Sequence, residues 1–232
     1  MASPNAPSTL AGRLKAWFDV SASYHPSVLH DGETVTFLAD PGELPQAYRV
    51  PMGGGKAIPI SPDGQRVGTI HASPTSARAV VAVDAGGNEH WQLGLLEGID
   101  AARPTLRALT ASPNVIHSPG VWSDDGTRYL YSSNARDPKF FDVYEMAVDS
   151  SSPPRRLLQG DALHDVVSVH GSQVLVARQN TNLDVDLLVL DGESTTHLNP
   201  HVGEETIYQA ALTEGAVYAG GNPGRERAAL LR

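Results

Sequence analysis

A serine becomes a hydrolytic nucleophile when a neighbouring base takes its proton. On a strand-to-helix turn it comes framed as Gly-x-Ser-x-Gly, and that frame occurs nowhere in the 232 residues. Ser123 stands three residues from Gly120 and three from Gly126, a spacing that belongs to a turn. The run "MGGGK" ends in Lys56, but Ala57 follows the lysine and Val50 stands where a phosphate loop needs its first glycine, so it reads as a glycine-rich hairpin turn. Gly220-Gly221-Asn222-Pro223-Gly224 departs from the dinucleotide fingerprint and reads as a loop. His197 and His201 are four apart, a zinc spacing only on a helix, and the intervening Asn199-Pro200 opposes a helix. Asn180, Asn182, Asp184 and Asp186 alternate as in a calcium loop, yet lack its central glycine and distal glutamate; with Leu183 and Val185 between them they read as one polar face of a strand. His117, His164 and His170 fall near the starts of expected inner strands, where they either line a channel or pack inside. A Ser-His-carboxylate triad is defined by convergence in space, and the sequence alone assembles none. No catalytic, cofactor-binding or metal-ligating residue is therefore assigned.

Composition narrows the chemistry further. There is no cysteine, which removes disulfides, thiolate metal sites and a cysteine nucleophile. A formal charge of −9 argues against nucleic acid or an anionic membrane as partner, since both select basic patches. No apolar run approaches the ~18 residues of a membrane span. The amino terminus lacks the basic and apolar regions of a signal peptide. These features are compatible with the cytoplasm.

The elements that would position any site are strands. "GVWSDDGTRYLYSSN" (120–134) carries a tight Asp125-Gly126 corner followed by an alternating run, with Tyr129 and Tyr131 on one side and Leu130 on the other. Similar corners occur at Asp31-Gly32, His170-Gly171 and Glu214-Gly215, each ahead of a short β-branched or alternating run. Glycine supplies the positive φ that such a hairpin requires. Gly126 to Gly171 is 45 residues, Gly171 to Gly215 is 44, and Gly32 to Gly126 is 94, or two periods of 47. The period predicts a fifth corner at Ser76-Ala77; Asp63-Gly64 comes too early and is an ordinary turn within a connection. Further strands follow each corner, for example "QAYRVP" then "KAIPI", and "VDLLVLD" then "TTHLN". Four antiparallel strands about every 45 residues predict an all-β fold, a β-propeller of four-stranded blades. The units are 21–60, 61–110, 111–160, 161–200 and an incomplete 201–232, after an N-terminal segment 1–20. An irregular β-sandwich is the alternative. Leu10 to Val20 either closes the ring as a strand or forms a short helix, as "LAGRLKAWFDV" suggests. The incomplete fifth unit leads to the expectation that the chain is a piece of something longer, whose open strand edge would self-associate.

Within that frame the residues resemble a family. "VVAVDAGGNEHWQL" (80–93) is similar to a strand-turn-strand of the propellers in prolyl oligopeptidase-family serine peptidases, above all the acylaminoacyl-peptidase branch. "VWSDDGTRYLYSSNARDPKFFDVYEMAV" (121–148), "RQNTNLDVDLLVLDGESTTHLNPHVGE" (178–204) and "GRERAALLR" (224–232) resemble the blades that follow, and "WFDVSASYHPSVLHDGETVTFLAD" (17–40) the opening segment. Similar repeats occur in the Tol-system propeller and other non-enzymes. The resemblance implies a propeller that caps an α/β-hydrolase domain lying beyond Arg232 and limits peptide access to it. The implied partners are peptide substrates, that hydrolase domain, and a second copy of the chain where a homo-oligomer forms; no cofactor is implied. A free-standing binding propeller is the alternative. Residues 1–232 alone are expected to hydrolyse no chromogenic acyl-amino-acid substrate. Turnover that survives repurification and is stopped by a serine-directed phosphonate would show otherwise.

Overall fold

The computed structural model describes residues 9–10, 22–42, 44–62, 64–84 and 86–232. The first sheet is β1 (Ser23–Val28), β2 (Thr34–Ala39), β3 (Gln46–Pro51) and β4 (Ile58–Pro59). The second is β5 (Arg66–Ala72), β6 (Arg78–Asp84), β7 (Gln92–Glu97) and β8 (Thr105–Ala108). β9 (His117–Trp122), β10 (Arg128–Asp137), β11 (Phe140–Ala147) and β12 (Arg155–Leu158) form the third. β13 (Leu163–His170), β14 (Gln173–Thr181), β15 (Asp184–Asp191) and β16 (Ser194–His197) form the fourth. β17 (Ile207–Thr213), β18 (Ala216–Gly221) and β19 (Ala229–Leu231) make a three-stranded fifth. Within every sheet the strands pair antiparallel in chain order, and one parallel bridge, Phe141 opposite Leu163, ties the third sheet to the fourth. The fold is an all-β propeller of four-stranded antiparallel blades, the last incomplete.

All five expected corners lie between the first and second strands of a sheet. Gly32, Gly126, Gly171 and Gly215 sit there at φ 67°, 66°, 59° and 71°. The second corner manages without glycine by using hydroxyls. Ser73 Oγ accepts from Thr75 N at 3.3 Å and from Ser76 Oγ at 3.0 Å, and Arg78 Nε donates to Ser76 Oγ at 3.0 Å. Gly64, at φ 84°, lies in the connection between β4 and β5. The Leu10–Val20 reading falls outside the described residues apart from Leu10.

Side-chain alternation turns the sheets into a stack. On β6, Ala79 and Val81 face the first sheet's Leu29, Leu38 and Ala47, while Val80 and Ala82 face Trp122, Tyr129 and Tyr131 of the third. On β10, Tyr129 and Tyr131 take that side and Leu130 packs on Val166, Val174 and Val176 of the fourth. Leu175 and Leu187 then meet Leu212 and Ala219 of the fifth. Four separate apolar layers result, each between consecutive sheets. First strands of neighbouring sheets run side by side, β1 with β5, β5 with β9, β9 with β13 and β13 with β17. They form the inner wall from which the sheets splay.

The connections between sheets carry backbone groups that need partners. A polar side chain near the start of the third strand supplies them. Gln92 Nε2 donates to the carbonyls of His90, Ser112 and Val115 at 3.1, 3.0 and 2.8 Å, and its Oε1 accepts from Ser112 N and Thr110 Oγ1. Gln46 does the same for its connection through Gln65 O and Ser61 Oγ. Gln92→Ala strips partners from several carbonyls and one N–H at once. It is expected to lower stability by about 1–3 kcal/mol, read from urea denaturation, with the exposed Gln65→Ala as an unaffected control.

Candidate functional site

The residues singled out for chemistry separate in space. Ser123 is buried and caps its corner: its Oγ donates to Asp125 Oδ1 at 2.6 Å and accepts from Arg128 N at 3.0 Å. Among the described residues, no serine hydroxyl hydrogen-bonds a histidine. Lys56 is exposed in the turn ahead of β4. His170 ends β13 rather than starting it, and its half-exposed ring lies 4.0 Å from Asp124. His164 is buried on β13 with Nδ1 2.8 Å from Phe141 O.

One convergence was hidden by the spacing. The alternating Asn180, Asp184 and Asp186 and the pair His197 and His201 meet at one end of the fourth sheet. Asp186, almost fully buried, takes Arg178 Nε at 2.9 Å, Asn180 Nδ2 at 2.8 Å and His197 Nε2 at 2.9 Å, with His201 Nδ1 at 3.7 Å. His201 Nε2 is 2.7 Å from Asp184 Oδ1 and its Nδ1 is 2.6 Å from Asn199 O. Glu205 Oε2 is 3.4 Å from His201 Nδ1. The Asn199 carbonyl and then Asp184 raise the His201 pKa, and His201 in turn holds Asp184 below the usual carboxylate range. Burial pulls Asp186 upward, but Asn180 and Arg178 together outweigh it and lower its pKa. Every carboxylate here already has its counter-charge. Among the described residues, no group of three or more histidines or carboxylates is disposed to hold a metal. The cluster fastens the connection 198–206 to the fourth sheet. Asn182, on the β14–β15 turn, stays outside it.

The inner wall offers a different environment. Between the first strands β5, β9 and β13 opens a cavity of about 390 Å³ whose lining includes Gly68, Thr69, Trp91, Ser118, Phe141 and Asp165. A bulge in β5 at Gly68 makes room for Trp91, whose ring would stand 2.7 Å from a Cβ at that position. Ser118 Oγ is 3.3 Å from Asp165 Oδ1. Loss of part of its hydration raises the Asp165 pKa although the residue keeps an exposed face, and the Ser118 hydrogen bond only partly offsets that. Sequence reading missed this site, although Thr69, Ser118 and Asp165 are 49 and 47 residues apart, close to the blade period. Comparing equivalent inner-strand positions across the repeat would have found them.

No family profile matches this chain, and no curated protein matches it in sequence. Solved structures do. A prolyl endopeptidase superposes with a TM-score of 0.71 at 12% identity, over 92% of this chain and 34% of that one. An acylaminoacyl peptidase from Pyrococcus horikoshii gives 0.61 at 13%, over 90% and 37%. A putative TolB from Agrobacterium tumefaciens gives 0.64 at 18%, over 87% and 70%. The fold is that of the peptidase propellers. It is equally that of TolB, and this chain spans about a third of the length of the peptidases it resembles.

Behind the cavity, His117 begins β9 fully enclosed, its ring 5.7 Å from that of Tyr131 and neither nitrogen hydrogen-bonded. Burial lowers its pKa to about 4. The folded value lies below the unfolded one, so the unfolded chain binds the proton first. Stability is whole above about pH 6.5 and falls as the pH drops toward 4. His117→Phe keeps the ring and removes the titration. The wild type is expected to lose up to about 3 kcal/mol relative to this variant between pH 7 and 4, measured by thermal unfolding across that range.

Proposed function

We propose that this chain is the propeller part of a serine peptidase of the prolyl oligopeptidase type, acylaminoacyl-peptidase-like, acting in the cytoplasm. In this reading the propeller caps an α/β-hydrolase domain and screens peptides on their way to its active site. The likeness to a prolyl endopeptidase over 92% of the chain carries the proposal. Supporting it is the division of labour within the chain. The inner wall is partly apolar, whereas Ser123 serves a corner and His197 and His201 serve a connection. The triad of such an enzyme would have to come from the hydrolase domain. The partners would be peptides and that domain.

The TolB likeness, which takes in 70% of that chain, favours a second reading: a propeller that binds a partner without catalysis. An antibody against residues 1–232 separates the two. Used on extract from the native source, it is expected to detect a product far heavier than 24.6 kDa that reacts with a fluorophosphonate probe. A heavier or equal product that never reacts with the probe favours the binding module.

A further inference from the structure

The inner-wall cavity has a chemical character that the likeness in fold does not assign. Trp91, Phe141, Leu163 and Pro119 give it apolar and aromatic walls, and no lysine or arginine is among its lining residues. Asp165 is its one carboxylate. A carboxylate offers about four acceptor sites, and Asp165 uses one of them on the Ser118 hydroxyl at a long 3.3 Å. Two first strands away, on β5, Thr69 Oγ1 is buried without a hydrogen-bond partner. The neighbouring charges point elsewhere. Arg66 lies 5.2 Å over the Trp91 ring but reaches Asp84 at 3.7 Å, and His164, next to Asp165 in the chain, turns to Phe141 O.

A carboxylate that keeps an exposed face beside apolar walls, with no basic side chain among the lining residues, is best satisfied by a cation that also donates hydrogen bonds. The aromatic and aliphatic walls add apolar contact for the body of such a cation. An anion would meet Asp165 with no compensating positive group. A metal ion would find a single carboxylate where several oxygens are needed. The volume of about 390 Å³ sits at the small end of ligand cavities, enough for one amino-acid-sized group.

We propose that this cavity binds an organic ammonium: a primary amine on an apolar body, with Asp165 as counter-ion and Trp91 and Phe141 as walls. The inference rests on the cavity alone and stands apart from the peptidase reading. The free amino end of a peptide and a lysine side chain share this chemistry.

The test follows the Trp91 indole N–H by NMR in the 232-residue chain, identified through Trp91→Phe. Phenylalaninamide is the amine probe, N-acetylphenylalaninamide its neutral counterpart, and N-acetyl-lysinamide the side-chain amine. Saturable shifts are expected with phenylalaninamide in the millimolar range. The acetylated counterpart is expected to bind at least ~10-fold more weakly, as is the amine to Asp165→Asn. Equal binding by N-acetyl-lysinamide would identify a general alkylammonium site, and weaker binding a site for the α-amine; both uphold the proposal. Absence of saturation with either amine, or equal binding of the acetylated probe, would overturn it. So would an unchanged affinity in a folded Asp165→Asn. The comparison of amine with acetylated probe needs no variant, so it decides the matter even where Asp165→Asn fails to fold. Amine binding without a fluorophosphonate-reactive product would keep this inference and remove the peptidase reading; the reverse result would do the opposite.

Discussion

One polar side chain near the start of the third strand in each of the first four sheets holds the connection to the next sheet, and the order of the blades depends on it. The position is fixed by register. Gln46, Gln92, Asp142 and Asp186 lie opposite Ala39, Val83, Ser133 and Arg178, each seven residues past Gly32, Ser76, Gly126 and Gly171 of the respective corner. The two glutamines both donate and accept, so their connections present carbonyls and hydroxyls to them. An aspartate only accepts. Donors accordingly meet the aspartates: the Gly160 N–H at 3.3 Å to Asp142, and the His197 imidazole, at the end of β16, at 2.9 Å to Asp186. A buried carboxylate also needs a counter-charge. Arg136, at 2.8 and 3.1 Å, supplies it to Asp142, and Arg178 to Asp186. The same mechanical task thus has a neutral solution in the first half of the chain and an ionic one in the second.

The apolar layers follow from that order. A strand with a sheet on either side must be apolar on both faces, which is why "RAVVAVD" and "QVLVARQ" read as continuous runs rather than strict alternations. The second, third and fourth sheets each contribute to two layers. Corner-to-corner contacts add polar ties on one rim. Thr75 Oγ1 donates to Asp125 O at 3.3 Å, and the Gly171 N–H donates to Asp124 Oδ2 at 2.8 Å. Tyr208 and Leu230 of the fifth sheet stay exposed, outside the layer shared with the fourth.

What could be read in advance was what is local and repeated. Four corners show because glycine is the residue that adopts their positive φ, and the period then located the fifth, whose serines and threonine replace the glycine with hydroxyl bonds. Outer strands such as Ile58–Pro59 are short, and the sequence pattern places them only roughly. The acid–imidazole cluster was illegible because its parts appeared as two separate motifs, each rejected for good reason as a metal site. Neither spacing reveals that β15 and β16 pair Leu188 with His197, which brings His197 beside Asp186. The cavity was illegible for a related reason: Thr69, Ser118 and Asp165 become neighbours only once three first strands stand side by side.

The two polar sites differ in what they leave unsatisfied, and this decides which one is built for a ligand. At Asp186 the arginine, the amide and the imidazole use up the carboxylate, and a ligand would have to displace bonds that hold the connection 198–206. Its perturbed groups are explained by structure alone, a common cause of shifted pKa values outside active sites. At Asp165 no such commitment exists: it has one long hydrogen bond and stands in an open cavity. First strands are also where a sheet keeps a free edge, since β5 and β9 pair on one side only. A propeller that engages small polar molecules therefore does so along its inner wall, where unpaired groups can be left waiting without loosening the stack.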